Sequence, residues 1–246
     1  MPRLGAQSLP CVASAKPGFQ PAKSFNPMPP KAYLSWSSGK DAAYALVEAR
    51  RLGLADIAGV LTTVNEVHDR VAMHGVRRSL LERQVAALIL PCLQVPLPFP
   101  CSNEAYEARM AAACAQLNAQ GIRHVVFGDL FLEDIRRYRV EKLAAVGMEA
   151  IFPLWQRPTR ALAEQMLDAG LVAHLACVDS KQLDPGFAGC RWDRQLLGEL
   201  PPGVDPCGEN GEFHTLVTAG PMFAAPIIVT PGETVARDGF VYADFE

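Results

Sequence analysis

The chain lacks three features that would point to particular classes of protein. No apolar run in its 246 residues approaches the ~20 residues that a membrane-spanning helix needs, so we expect no membrane insertion. Basic residues are not in excess, because 23 Lys and Arg stand against 26 Asp and Glu, and a nucleic-acid partner is therefore not expected. The seven cysteines include no C-x-x-C pair. We expect reduced thiols in a cytoplasmic protein rather than a disulfide framework.

Acidic residues are absent from the first 30 positions, which contain seven prolines. A segment of this composition has too little apolar surface to offset the entropy of ordering it. We therefore predict a disordered tail over residues 1–30 and a fold that begins at Lys31.

From Lys31 onward, short β-rich runs alternate with longer helical ones. The predicted strands cover residues 32–36, 57–63, 93–96, 125–127, 150–153, 172–179, 213–217, 227–229 and 240–245, and the predicted helices cover 41–52, 77–88, 105–120, 137–146 and 160–169. This alternation is typical of an α/β fold with a parallel, Rossmann-like sheet, which binds ligands at the carboxyl ends of its strands. The rhythm changes after Leu154, where glycine and proline become frequent. We predict two domains, at residues 31–153 and 154–246, the second being smaller and α+β.

The junction of the first predicted strand and helix carries the most informative residues. It reads Ser37-Ser38-Gly39-Lys40-Asp41. Small residues let the backbone approach a phosphate, while the first N–H groups and the dipole of the helix favour an anion. Lys40 adds a mobile positive charge, and Asp41 could hold Mg²⁺. The stretch is not a Walker A loop, which needs Ser or Thr after the lysine. From spacing alone, a plain turn with a serine helix cap is an equally good interpretation.

The loop is similar to the S-G-G-K-D-S loop of the PP-loop ATP pyrophosphatase superfamily, whose members adenylate a substrate oxygen. Ser38 replaces a glycine and Ala42 replaces the closing serine. Further motifs, in the same order, resemble those of the diphthine ammonia ligase family, also called the ATP-binding diphthamide synthase domain. They are Gly128-Asp129, Glu133-Asp134 followed by Arg137, Arg139, Val140 and Glu141, Pro153-Leu154-Trp155, and Cys207-Gly208-Glu209-Asn210-Gly211-Glu212-Phe213-His214-Thr215.

The resemblance implies a ligase that uses ATP and Mg²⁺, and it implies roles for individual residues. ATP would be held by Ser37, Ser38, Gly39, Lys40, Asp41, Thr62, Gly128 and Asp129, with Mg²⁺ on Asp41 and Lys40 as a catalytic residue. Glu209 and Glu212 would be catalytic and substrate-binding, converging on ammonium to bind and deprotonate it. Arg137 and Arg139 would contact the substrate. His74 follows the second predicted strand, where a substrate-facing loop would bring it to the substrate, and a satisfied or merely exposed histidine is the alternative. The two arginines would serve equally well as partners of acidic residues on an exposed helix.

The implied reaction joins ammonia to a carboxylate. The carboxylate attacks the α-phosphorus of Mg-ATP to give an acyl adenylate and pyrophosphate, and ammonia then displaces AMP. In the diphthamide pathway the carboxylate belongs to a modified histidine on a translation elongation factor, which is the implied partner. Two alternatives stay open: a PP-loop protein that adenylates another substrate, such as a small acid or a tRNA, and an ATP-binding module without ligase activity. A homodimer is one option for the assembly.

Overall fold

A computed structural model describes residues 28–246 of the chain. The disordered tail predicted for residues 1–30 lies outside the described residues, except for its last three positions. Within residues 28–246, no helix is both long enough and apolar enough to cross a membrane.

The amino-terminal part of the described chain is built around a mostly parallel sheet. Its elements are β1 (Lys31–Ser35), α1 (Lys40–Arg51), β2 (Asp56–Asn65), β3 (Arg70–Val71), α2 (Arg78–Leu88), β4 (Cys92–Leu97), α3 (Asn103–Ala119), β5 (His124–Val126), α4 (Glu133–Ala144) and β6 (Glu149–Ile151). Strands β4, β2, β1, β5 and β6 pair in parallel in that order, and β3 pairs antiparallel with the end of β2. Since β2 and β5 lie on opposite sides of β1, a crevice opens at the carboxyl ends of these strands.

The carboxyl-terminal part forms a second, antiparallel sheet. Its elements are α5 (Thr159–Asp168), β7 (Val172–Asp179), β8 (Arg191–Trp192), α6 (Arg194–Glu199), β9 (Phe213–Ala219), β10 (Pro231–Arg237) and β11 (Phe240–Phe245). Strand β7 pairs with β8, β9 and β11, and β11 pairs with β10. The predicted α/β class, with a Rossmann-like sheet and a smaller second part, is confirmed. The boundary between residues 153 and 154 stays a prediction.

Two cores lie on the two faces of the parallel sheet. On β1, Leu34 faces one core and Tyr33 faces the other, because successive side chains of a strand point to opposite faces. The core around Leu34 includes α1 and continues to Leu175 on β7 of the second sheet. Helix α1 contacts β1, β2 and β5 on one side and β9 on the other. Its amino terminus is therefore positioned by both sheets.

The structure corrects two predicted elements. Residues 227–229 form no strand but part of the connection from β9 to β10, in which the Ile227 N–H donates to the Thr218 carbonyl at 2.8 Å. The pattern missed the true strand, β10, because all seven of its residues are exposed and show no apolar alternation. Helix α4 begins at Glu133 rather than at residue 137. Glu133 and Asp134 lie in its first turn, where the helix dipole favours negative charge.

Candidate active site

A cavity of about 580 Å³ lies at the carboxyl ends of β1, β2 and β5. Its size falls within the range of pockets that bind small molecules and cofactors. The predicted site residues that line it are Ser37, Lys40, Asp41, Thr62, His74, Gly128, Asp129, Arg139 and Glu209. The cavity thus brings the loop before α1, the end of β5 and the Cys207–Thr215 segment to one place.

The loop before α1 turns at Ser38, whose backbone is left-handed with a φ of 71°. Glycine adopts this region at no steric cost, which gives a physical reason for glycine at the equivalent position of the PP-loop motif. Ser38 is fully buried and does not line the cavity. Its carbonyl accepts hydrogen bonds from the Val217 N–H at 2.9 Å and from the Gln84 amide at 3.2 Å. The loop is therefore fastened to β9 of the second sheet.

Gly39 is the residue before α1, and it also lies behind the cavity wall. A Cβ atom at this position would stand 2.6 Å from Cε1 of His74. The N–H of Lys40, the first in the helix, donates to Oγ1 of Thr215 at 3.1 Å. A side chain from β9 therefore caps α1, because glycine has no side chain to do so.

The ammonium of Lys40 is buried, contrary to the mobile positive charge that the sequence suggested. It donates to Oδ2 of Asp41 at 2.9 Å and to the carbonyl of Cys207, and it lies 5.4 Å from the ring centres of Trp192 and Phe213. Burial is the largest single effect on the pKa of Lys40 and disfavours the charged form. The surrounding groups, with Asp41 first among them, together outweigh it, so that the pKa of Lys40 is raised above its ordinary value. Lys40 is a fixed positive charge that joins α1 to the Cys207 loop.

Oδ1 of Asp41 and Oγ1 of Thr62 are buried at the cavity and have no hydrogen-bond partner among residues 28–246. Asp41 bonds Lys40 through its other oxygen, so Oδ1 is free for a ligand. Mg²⁺ prefers oxygen ligands and is usually held by one or two carboxylates together with substrate phosphates. Among residues 28–246, no group of three or more His, Cys, Asp or Glu side chains is placed to hold a metal. Oδ1 of Asp41 offers one oxygen of the kind that Mg²⁺ takes as a ligand when it binds together with a phosphate.

The Gly128-Asp129 pair crosses the first turn of α1. A Cβ atom at Gly128 would stand 2.7 Å from the backbone carbon of Asp41, so only glycine allows this approach. Asp129 lies 2.6 Å from Nε of Arg139, whose guanidinium stacks 4.4 Å from the ring centre of Phe127. Arg139 thus lines the cavity as one half of an ion pair. Arg137 is exposed on α4 and is not among the residues that line the cavity, so its contact with the substrate stays a prediction.

Glu209 faces the cavity from the glycine-rich loop before β9. Its Oε1 accepts hydrogen bonds from the backbone N–H groups of Leu130 at 2.7 Å and Phe131 at 3.4 Å. Burial raises the pKa of the Glu209 carboxyl to about 7, and the charges of Asp41 and Asp129 add to this effect. Glu209 can therefore gain or lose a proton near neutral pH.

Glu212 does not converge with Glu209, which corrects the predicted pair. Its side chain is buried, and Oε1 accepts from the Asp205 N–H at 2.9 Å and from the Asn210 amide at 3.0 Å. Glycines with positive φ at positions 208 and 211 turn the chain between the two carboxylates. Glu212 therefore shapes the loop, and Glu209 alone of the two lines the cavity.

His74 lines the cavity beside His214, with their ring centres 4.7 Å apart. Burial lowers the pKa of His74 to about 3 and that of His214 to about 4. Nδ1 of His74 lies 2.9 Å from the carbonyl of Thr215, which can only accept, so Nδ1 carries the hydrogen. His74 is therefore neutral, with Nε2 left as an acceptor.

Two contributors to the loop were not predicted, Gln84 and Thr215. The fully buried Gln84 accepts from the Trp36 indole at 3.1 Å and donates to the carbonyls of Ser38 and Val217. Its sequence signal is a polar residue one turn after Leu80, on the apolar face of α2. Thr215 is the last residue of the Cys207–Thr215 motif, but its position offers no hint that it caps α1.

Comparisons with known proteins show what the chain is similar to. A family model described as the diphthamide synthase C-terminal domain matches residues 158–242. The protein named diphthine--ammonia ligase in Bos taurus is 23% identical over 236 residues, which cover 84% of this chain and 85% of that protein. Proteins of the same name in Danio rerio and Rattus norvegicus are 34% identical over 118 residues and 30% identical over 125 residues.

These matches support the similarity of the chain to the diphthine ammonia ligase family. The match covers only 44% of the length of the Rattus norvegicus protein and 46% of the Danio rerio protein, whereas it covers 85% of the Bos taurus protein. Similarity to diphthine--ammonia ligases thus reaches beyond the second sheet, whose residues carry the match to the family model.

Proposed function

We propose that the chain is an ATP-dependent ligase that adenylates a substrate carboxylate and aminates it with ammonia, as the name of its relatives implies. The proposal rests on the observation that two motifs line the same cavity. The phosphate-type loop before α1 supplies one wall, and Glu209 of the glycine-rich loop supplies another. Neither motif alone would combine a site for phosphate with a carboxylate of raised pKa.

ATP would bind with its phosphates at the amino terminus of α1. The N–H groups of Asp41 and Ala42 have no intrahelical partner by the geometry of a helix, and the helix dipole favours negative charge there. Lys40 adds a fixed positive charge beneath the loop, which would stabilise the charge that builds on the phosphates. Asp41 would hold Mg²⁺ through Oδ1, and the metal would neutralise phosphate charge. Thr62 would contact the nucleotide through its unpaired hydroxyl.

Glu209 would accept a proton from ammonium. Its pKa of about 7 lies close to the pH at which a general base is most effective, and its Oε1 is held in place by the Leu130 N–H. Ammonia then displaces AMP from the acyl adenylate. Amination should therefore rise with pH through about 7, as Glu209 loses its proton.

The finer details of substrate and location are also part of the proposal. Arg139 and His74 line the cavity and would contact the carboxylate substrate. A modified histidine on a translation elongation factor as the carrier of that carboxylate, and a homodimeric assembly, stay predictions. A cytoplasmic location is supported by the six cysteines of residues 28–246, which are free thiols.

The proposal is tested by product analysis with matched variants. The protein is incubated with Mg-ATP, ammonium and an elongation factor that carries diphthine, and AMP, pyrophosphate, ADP and amide are measured. Lys40→Ala should abolish AMP formation, whereas Glu209→Gln should still form the adenylate but lose amination. The exposed Lys181→Ala and Glu164→Gln serve as controls and should behave as the wild type. ADP as the product, or normal amination by Glu209→Gln, would refute the assignment.

A further inference from the structure

Strand β9 holds the loop before α1 through two successive contacts. The Val217 N–H donates to the Ser38 carbonyl at 2.9 Å, and two residues earlier Oγ1 of Thr215 accepts from the Lys40 N–H at 3.1 Å. The carbonyl of Thr215 in turn accepts from Nδ1 of His74 at 2.9 Å. Thr215 is 1% exposed and lines the cavity. It therefore lies between the loop, the helix and a cavity histidine.

The hydroxyl of Thr215 takes a role that Gly39, the residue before α1, cannot fill. The residue before the helix is Gly39, and α1 has no side-chain cap of its own. An uncapped first turn leaves its N–H groups free to reorient or to bond water. With the Lys40 N–H taken by Thr215, the direction of the first turn is set before any ligand arrives. The N–H groups that follow belong to Asp41 and Ala42, and both residues line the cavity.

We propose that Thr215 is a positioning residue. It fixes the loop before α1 by capping α1 from the second sheet. It acts through the Lys40 N–H and not by contact with a reacting atom. The effect on nucleotide binding rests on the proposed function, whereas the effect on the loop itself does not. The segment Cys207–Thr215 thereby contributes to both parts of the proposed site. Glu209 would accept a proton from ammonium, and Thr215 would fix the loop that binds phosphate.

Variants at two threonines of β9 test this role. Thr215→Val removes the acceptor and keeps the shape of the side chain, whereas Thr215→Ser keeps the acceptor. The control is Thr218→Val, because Thr218 is buried on the same strand and its hydroxyl donates to the Val172 carbonyl at 3.3 Å, away from the loop. Two quantities are measured: amide hydrogen exchange of the Ser37–Asp41 segment without nucleotide, and the Kd for Mg-ATP by calorimetry.

Thr215→Val should speed exchange in the Ser37–Asp41 segment and weaken Mg-ATP binding, each by roughly three- to tenfold, as expected for the loss of one buried hydrogen bond. Thr215→Ser and Thr218→Val should stay within about twofold of the wild type. The proposal is overturned if Thr215→Val matches the wild type in exchange, or if Thr215→Ser or Thr218→Val loosens the segment equally. Should Thr215→Val not fold, Thr215→Cys provides the same comparison with a poor acceptor.

The two measurements separate this inference from the proposed function. A wild type that does not bind Mg-ATP, together with faster exchange in Thr215→Val alone, would refute the ATP site and support the capping role. Normal Mg-ATP binding by the wild type, together with unchanged exchange in Thr215→Val, would support the ATP site and refute the capping role.

Discussion

Replacing Glu209 by glutamine should change how the stability of the protein depends on pH. Glutamine keeps an oxygen that can accept from the Leu130 N–H, so the main hydrogen bond of Oε1 survives. What it removes is a buried negative charge close to Asp41 and Asp129. The substitution thus isolates the cost of ionising Glu209 inside the cavity.

The magnitude follows from the pKa of Glu209, which is about 7 in the folded chain against an ordinary value of 4.5 for a glutamate. Between these values the folded state binds more protons than the unfolded state, so the free energy of unfolding falls as pH rises. The difference of about 2.5 units corresponds to about 3 kcal/mol in full, at 1.36 kcal/mol per unit. Water in the open cavity screens the charge and reduces this to roughly 2 kcal/mol.

The assay is urea denaturation of the wild type and Glu209→Gln at pH 5 and pH 8. At pH 5 the two proteins should be about equally stable, because Glu209 is protonated in the folded wild type. At pH 8 the variant should be more stable by roughly 2 kcal/mol. The exposed Glu164→Gln controls for the general effect of losing one carboxylate. A stability difference that stays the same at both pH values would refute the burial of an ionisable Glu209.

Three further predictions concern the loop and its supports. Ser38→Gly should raise the free energy of unfolding by about 0.5–1 kcal/mol, because glycine relieves the left-handed backbone; an unchanged urea midpoint would contradict this. Gly128→Ala should lower it by about 1–3 kcal/mol through the 2.7 Å approach to Asp41, whereas Gly198→Ala, which meets no atom within 4 Å, should not lower it. Gln84→Met should cost about 2–4 kcal/mol in the same assay, since the Trp36 indole and two carbonyls lose their buried partner, and a cost below about 1 kcal/mol would show that those groups find others.

The parts of the fold that depend on neighbouring residues could be predicted from the sequence. The alternation of strands and helices gives the parallel sheet, and a loop between β1 and α1 must lie at the carboxyl edge of that sheet. The cavity is there, with Asp41 and Thr62 in its wall. The short β8 and the wholly exposed β10 were missed, because neither carries the apolar periodicity on which the prediction depends.

The direction of individual side chains in the site could not be predicted, because it depends on contacts between distant segments. Lys40 points to the carbonyl of Cys207, 167 positions away, and its own helix gives no sign of this. Glu209 and Glu212 are three residues apart, but glycine turns in their loop separate the two carboxylates. The resemblance to known motifs singled out these segments, and only the packing of β9 against α1 decides which groups face the cavity.

In the proposed reaction, one cavity activates a carboxylate on ATP before ammonia attacks it. The decisive measurement uses a substrate whose carboxylate carries ¹⁸O, incubated with the protein, Mg-ATP and ammonium. Attack of the carboxylate on the α-phosphorus leaves one labelled oxygen on AMP when ammonia displaces it. We predict ¹⁸O in AMP and none in inorganic phosphate. Label in inorganic phosphate together with ADP would contradict the account, because it would place the attack at the γ-phosphorus.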